Sequence, residues 1–132
     1  MIESAAEFIQ LRESGNGADY QRLKRDEAPV EVWREIVAEH PDMRFWVAFN
    51  RTVPVEVLRQ LAQDADWRVR DKVASRRDTP PDVLGDLALD ESDAVASSVA
   101  GNPSTPDTAL RALIEHPWDQ VSDKARQRLK AS

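Results

Sequence analysis

The stretch PVEVLRQLAQDADWRVRDKVASRRDT (54–79) runs directly into PPDVLGDLALDESDAVASSVAGNPST (80–105) and then PDTALRALIEHPWDQVSDKARQRLKA (106–131). Set one above another, the three agree at Pro54, Pro80 and Pro106, at Leu58, Leu84 and Leu110, and at Leu61, Leu87 and Leu113. They agree again at Val69, Val95 and Val121, and at Val73, Val99 and Ala125. An internal period of this length is the mark of units that cannot bury an apolar stripe alone and must stack on their neighbours.

An earlier copy begins at Pro29, PVEVWREIVAEHPDMRFWVAFNRTV, one residue shorter. Here Trp33 and Ile36 take the leucine places, and Met43 and Val47 the valine places. Within each copy, Pro stands where a first helical turn needs no N–H, and apolar residues three and four apart follow. A polar break such as DAD, DES or HP precedes a second short helix. Thr79 and Thr105 are expected as N-caps, and Asn50 and Gly101-Asn102 as left-handed helix stops.

The first residues lie outside the period. SAAE (4–7) has the form of a capping box opening a helix, GNG (15–17) breaks it, and a second helix is expected from Asp19. Terminal units of stacked repeats are atypical because they close an exposed core edge, so 1–27 reads as an N-terminal helical cap. The expectation is a single all-α domain, 1–132: a cap, then repeats at 28–53, 54–79, 80–105 and 106–130.

The pattern P-x-x-x-L-x-x-L-A…D-x-x-x-x-V-R-x-x-V-A…N-x-x-T-P resembles the leucine-rich repeat variant family, which groups with HEAT-like solenoids, over about residues 28 to 130. The resemblance implies a right-handed superhelical α-solenoid of about four two-helix repeats, and recognition of a protein or ligand rather than one fixed activity. Some members carry a cysteine-ligated iron–sulfur cluster at the N-terminus. This chain has no cysteine, so that feature does not carry over.

Absent cysteine also excludes disulfides, thiolate metal sites and thiol nucleophiles. The two histidines, His40 and His116, each precede Pro at an inter-helix turn three repeats apart, which argues against a shared metal or acid–base role. Asp64, Asp66, Asp90, Glu91 and Asp93 also gather in turns, where capping the next helix explains them without a calcium-loop spacing. No phosphate-binding loop, nucleophile elbow or zinc-protease motif occurs. No catalytic residue, metal or cofactor is expected. The N-terminus lacks a basic flank and apolar run of the secretory kind, and no stretch approaches a membrane span, so a cytoplasmic location is expected.

Net charge is −6, but residues 43–77 carry 8 basic and 4 acidic groups between two acidic ends. The aromatics are equally uneven: MRFWVAFN (43–50) holds Phe45, Trp46 and Phe49 out of eight in the chain. In the other copies their columns hold polar or small residues, so this helix is apolar on two faces. Either the extra stripe receives the cap through Phe8, Leu11, Tyr20 or Leu23, or Trp46 stays accessible as an anchor. Beside it, Arg44 and Arg70 share one column and Arg51 and Arg77 another, with Arg68, Lys72 and Arg76 between them. Trp67 and Trp118, near inter-helix turns, make a possible second patch.

These residues lead to the expected function: a non-enzymatic adaptor, monomeric, holding an acidic protein segment on Arg44, Trp46, Arg51, Arg68, Arg70, Lys72, Arg76 and Arg77. An immunity or regulatory protein has this form. The alternative is a HEAT-like DNA base-excision protein using Arg44, Trp46, Arg70 and Asp71, which the net acidity disfavours. A third reading is a scaffold that self-associates through an uncapped end.

Overall fold

A computed structural model describes residues 1–131. Among them are ten α-helices, one 3₁₀ turn and no strand. None of the helices is long and apolar enough to cross a membrane. Contacts group the chain into two compact units, one ending at Leu61 and one beginning at Ala62, so the boundary falls between the two helices of the 54–79 copy.

In the first unit, Ser4 caps α1 (Ala5–Glu13) by accepting the Glu7 amide at 3.0 Å, while the Glu7 carboxylate accepts the Glu3 amide at 2.8 Å. Gly15, at φ 68°, turns the chain in a conformation that β-carbon-bearing residues resist. Asn16 then caps α2 (Gly17–Arg25), which starts two residues before Asp19. Next come α3 (Val30–Glu39), the 3₁₀ turn Pro41–Met43, α4 (Arg44–Phe49) and α5 (Val55–Leu61). Helix α1 packs on α2 and α3, and α4 packs on α2, α3 and α5. The centre is apolar: Phe8 meets Trp33 edge to face at 5.3 Å, and both are fully buried.

The second unit holds α6 (Trp67–Ala74), α7 (Pro81–Leu87), α8 (Asp93–Gly101), α9 (Asp107–Ile114) and α10 (Asp119–Ala131). Helices α6, α8 and α10 touch in succession, and α7 touches α9, which gives two layers. Leu84, Leu87, Leu110 and Leu113 fill the space between them with Val69, Val73, Val95, Val99, Val121 and Ala125, all buried. Each such leucine or valine contributes about 1.5–3 kcal/mol before the entropy of ordering it.

Two local expectations are corrected. Thr79 and Thr105 do not cap the helices that follow; each is buried and donates its hydroxyl backward, to the Val73 carbonyl at 2.6 Å and the Val99 carbonyl at 2.7 Å. The N-cap positions fall on Pro80 and Pro106, which offer no side-chain acceptor. Asn50 and Asn102 are not left-handed either: both are extended, at φ −67° and −78°.

Both asparagines act through their side chains. The Asn50 amide donates to the Leu23 carbonyl at 2.8 Å and the Asp26 carbonyl at 3.0 Å, and its oxygen accepts the Thr52 amide at 2.8 Å. The Asn102 amide does the same to Ala74 at 2.8 Å and Arg76 at 2.7 Å, accepting Ser104 at 2.8 Å. Arg128, 26 residues after Asn102, donates to the Ala100 carbonyl at 2.9 Å and the Asn102 carbonyl at 2.6 Å. Carbonyls that a helix end leaves without partners are thus satisfied by a neighbouring copy.

Candidate functional site

Helix α4 has six residues and two faces. Val47 and Ala48 are buried, whereas Phe45, Trp46 and Phe49 are all half-buried. Trp46 stands edge-on to Phe45 at 5.0 Å and to Phe49 at 5.5 Å, and Phe49 lies 5.7 Å from Tyr20 of α2. These four rings form a continuous apolar strip with two cations on it. The Arg12 guanidinium carbon lies 4.4 Å from the Trp46 centroid, and the Lys24 ammonium 5.9 Å from that of Phe49.

Beside the strip is a cleft of about 360 Å³. Leu11 and Leu23 are its buried apolar lining, Arg12, Trp46 and Tyr20 form its walls, and Gly17 leaves part of its edge without a side chain. The aromatic stripe therefore both meets the N-terminal helices and keeps accessible surface. The N-terminal helices cover it with Arg12 and Tyr20 rather than with Phe8, which is turned to Trp33, and the rings keep exposed surface.

The predicted basic residues divide between the units. In the first, Arg44 donates Nε to the Val37 carbonyl at 2.7 Å, at the end of α3, and Arg51 is exposed with its amide on the Lys24 carbonyl. In the second, Arg70 is the most committed. It grips the Asp90 carboxylate at 2.8 and 3.1 Å and the Asp64 and Ala65 carbonyls at 2.8 and 3.1 Å. The hydrogen bond to Asp90 raises its pKa further.

Arg68 folds back on Asp66, the N-cap of its own helix, and Arg76 on Asp78 at 2.7 Å. These side-chain bonds hold the Asp66 and Asp78 carboxyls below the usual carboxylate range. Lys72 is half-buried on α6 and Arg77 is exposed. Of the predicted basic residues, Arg44 and Arg70 thus tie separate segments together, while Arg68 and Arg76 pair locally.

Trp67 and Trp118 are both exposed. Trp118 lines a shallow depression of about 480 Å³ with Asp93, Ala94 and Pro117. Its amide donates to His116 Nδ1 at 3.0 Å, which turns Nε2 toward Asp93, 3.5 Å away. At the end of α3, ligand atoms of Glu35, Glu39 and the following His40 lie within 4.8 Å of one another. Both acids are exposed, and a solvated helix face accounts for them.

Sequence reasoning missed Arg12 and Lys24 as members of the aromatic site. Both lie in the N-terminal segment, where no repeat column gives an internal control. No protein-family model, curated protein or solved structure matches the chain.

Proposed function

We propose that the chain is a non-enzymatic binding module that holds an acidic segment of another protein on the face formed by α1, α2 and α4. The observation that carries this reading is the half-exposed Trp46 with Arg12 stacked on it at the mouth of the cleft. An aromatic with a cation on its face presents apolar area and positive charge together, and tryptophan and arginine dominate interface hot spots. A partner segment places an apolar side chain in the cleft and its carboxylates near Arg12 and Lys24.

The same reading takes the chain as a monomeric, right-handed α-solenoid of about four leucine-rich-variant-like repeats behind an N-terminal cap. Its support is the 26-residue step between Asn102 and Arg128 as donors to preceding helix ends, together with the alternating layers of the second unit. An adaptor in the cytoplasm, or an immunity protein that covers a toxin's active site, fits a site of this kind. The base-excision alternative has less support. Arg70 is tied to Asp90, and Asp71 accepts the Ser98 hydroxyl, so neither is presented to a nucleic acid.

The test is a titration of isotope-labelled protein with an acidic peptide carrying one central Phe or Leu, read by amide and indole shifts. Saturable movement of Trp46, Tyr20 and Gly17, absent with a basic peptide of the same length, is expected. Shifts spread evenly over the chain, or none, would remove the proposal.

A further inference from the structure

We infer that the depression between the end of α6, α8 and α10 binds a phosphomonoester, with Arg77, Lys124 and the Ser97 hydroxyl as its donors. The depression holds about 410 Å³ and is lined by Ser75, Arg77, Ser97, Ser98, Gly101 and Lys124, with Asn102 and Pro103 at its edge. It lies wholly within the second unit and does not depend on the aromatic site.

Two cations line it. Arg70, Arg76, Arg126 and Arg128 each have carboxylate or carbonyl partners. The acids adjacent in sequence are engaged elsewhere, Asp78 with Arg76 and Asp123 with Arg126. Arg77 and Lys124 remain exposed and form no ion pair among the described residues, though the chain carries an excess of acid. Two cations from different elements face one concavity in an acidic protein.

Other donors around the depression narrow the ligand. Ser75 donates to the Asp71 and Lys72 carbonyls and Ser98 to the Asp71 carboxylate, while the Ser97 hydroxyl has no acceptor among the described residues. Gly101 has no side chain, and the Lys124 ammonium lies 3.6 Å from where a β-carbon would stand, so the lysine crosses α8 there. A carboxylate is satisfied by one guanidinium fork. Three donors approaching from separate elements match the three terminal oxygens of a phosphomonoester.

The lining runs past the three donors to Asn102 and Pro103 and is open to solvent, which leaves a place for the group that bears the phosphate; a phosphorylated side chain such as phosphoserine is the occupant proposed.

The experiment is a titration of labelled protein with phosphoserine, inorganic phosphate and serine at matched ionic strength, above the second phosphate pKa of ~6. Phosphoserine is expected to move the Ser97, Ser98, Gly101 and Lys124 amides saturably, more tightly than inorganic phosphate, with serine inert. The Arg77→Gln, Lys124→Gln double variant should weaken phosphoserine roughly tenfold or more, as loss of two charge-assisted contacts requires. Both side chains are exposed, so the rest of its spectrum should match the parent protein. Absence of saturable shifts, an undiminished response in the double variant, or an equal response to serine would overturn the site. Inorganic phosphate binding as tightly as phosphoserine would overturn the ester-borne ligand.

Discussion

The guanidinium of Arg12 lies over the indole of Trp46, 4.4 Å from its centroid, joining the N-terminal helix to α4 while a cleft stays open beside the pair. Trp33, thirteen positions earlier, is wholly buried against Phe8. The two tryptophans therefore answer to different demands. Trp33→Ala should cost about 3–5 kcal/mol, the range for a large aromatic removed from a packed interior. Trp46→Ala, at a half-exposed position, should cost about 1–2 kcal/mol from lost apolar burial. Urea unfolding of both variants checks this; equal losses would make Trp46 a core residue.

Asn102 is buried and satisfies two carbonyls on the preceding helix end. Asn102→Ala leaves those acceptors without a donor and should cost about 1–3 kcal/mol. Asn102→Asp should be worse near neutral pH, because a carboxylate would then face carbonyl oxygens in a buried place. Denaturation midpoints in the order wild type, Ala, Asp are expected. An aspartate variant as stable as the parent protein would show that the staple carries little energy.

Arg70 and Asp90 are only 11% and 9% exposed, so breaking either half strands a buried charge. Arg70→Met or Asp90→Leu alone should cost about 3–5 kcal/mol, and the double variant should recover at least half of that. Full recovery is not expected, since Asp90 also accepts the Ser92 amide and Arg70 two carbonyls. The double variant should bind acidic peptide as the parent does. A large drop in that affinity would place Arg70 on the binding surface.

The carboxyls of Glu7, Asp66 and Asp78 are all held low, Glu7 by the Glu3 amide and then Arg22, Asp66 by Arg68, and Asp78 by Arg76. A group whose folded pKa is lowered contributes stability above its ordinary value, near 4, and loses it as pH falls through the folded value. Stability should therefore be level from about pH 7 to 5 and decline below about pH 4. Salt should blunt the contributions of the partly exposed Asp66 and Glu7 pairs. Asp78→Asn should shallow the acid decline in urea midpoints; an unchanged slope would exclude Asp78 as a contributor.

The helical character was legible because Leu84, Leu110 and their column mates repeat with helical spacing in every copy, and burial follows those columns. What Thr79, Asn50 and Asn102 do was not legible. A capping threonine and a buried one tied backward look alike in sequence, and so do a left-handed asparagine and an extended one. Their partners lie 6 to 28 residues away. The aromatic stripe was visible as an exception among columns. Arg12 was not, because stacking over Trp46 depends on how α1 packs, and no periodicity reports that. Nor were the partners of Arg70 visible, because the Asp90 carboxylate and the Asp64 and Ala65 carbonyls that hold it lie 5 to 20 residues away and follow no column.

The most direct test of the central claim is a display selection of random peptides against the whole chain, with each enriched peptide then measured against an Arg12→Glu, Trp46→Ala variant. The account predicts peptides with several acidic residues around one apolar side chain, losing at least about tenfold in affinity for the variant, as expected of hot-spot residues. Peptides without acidic bias, or binding parent and variant alike, would contradict it.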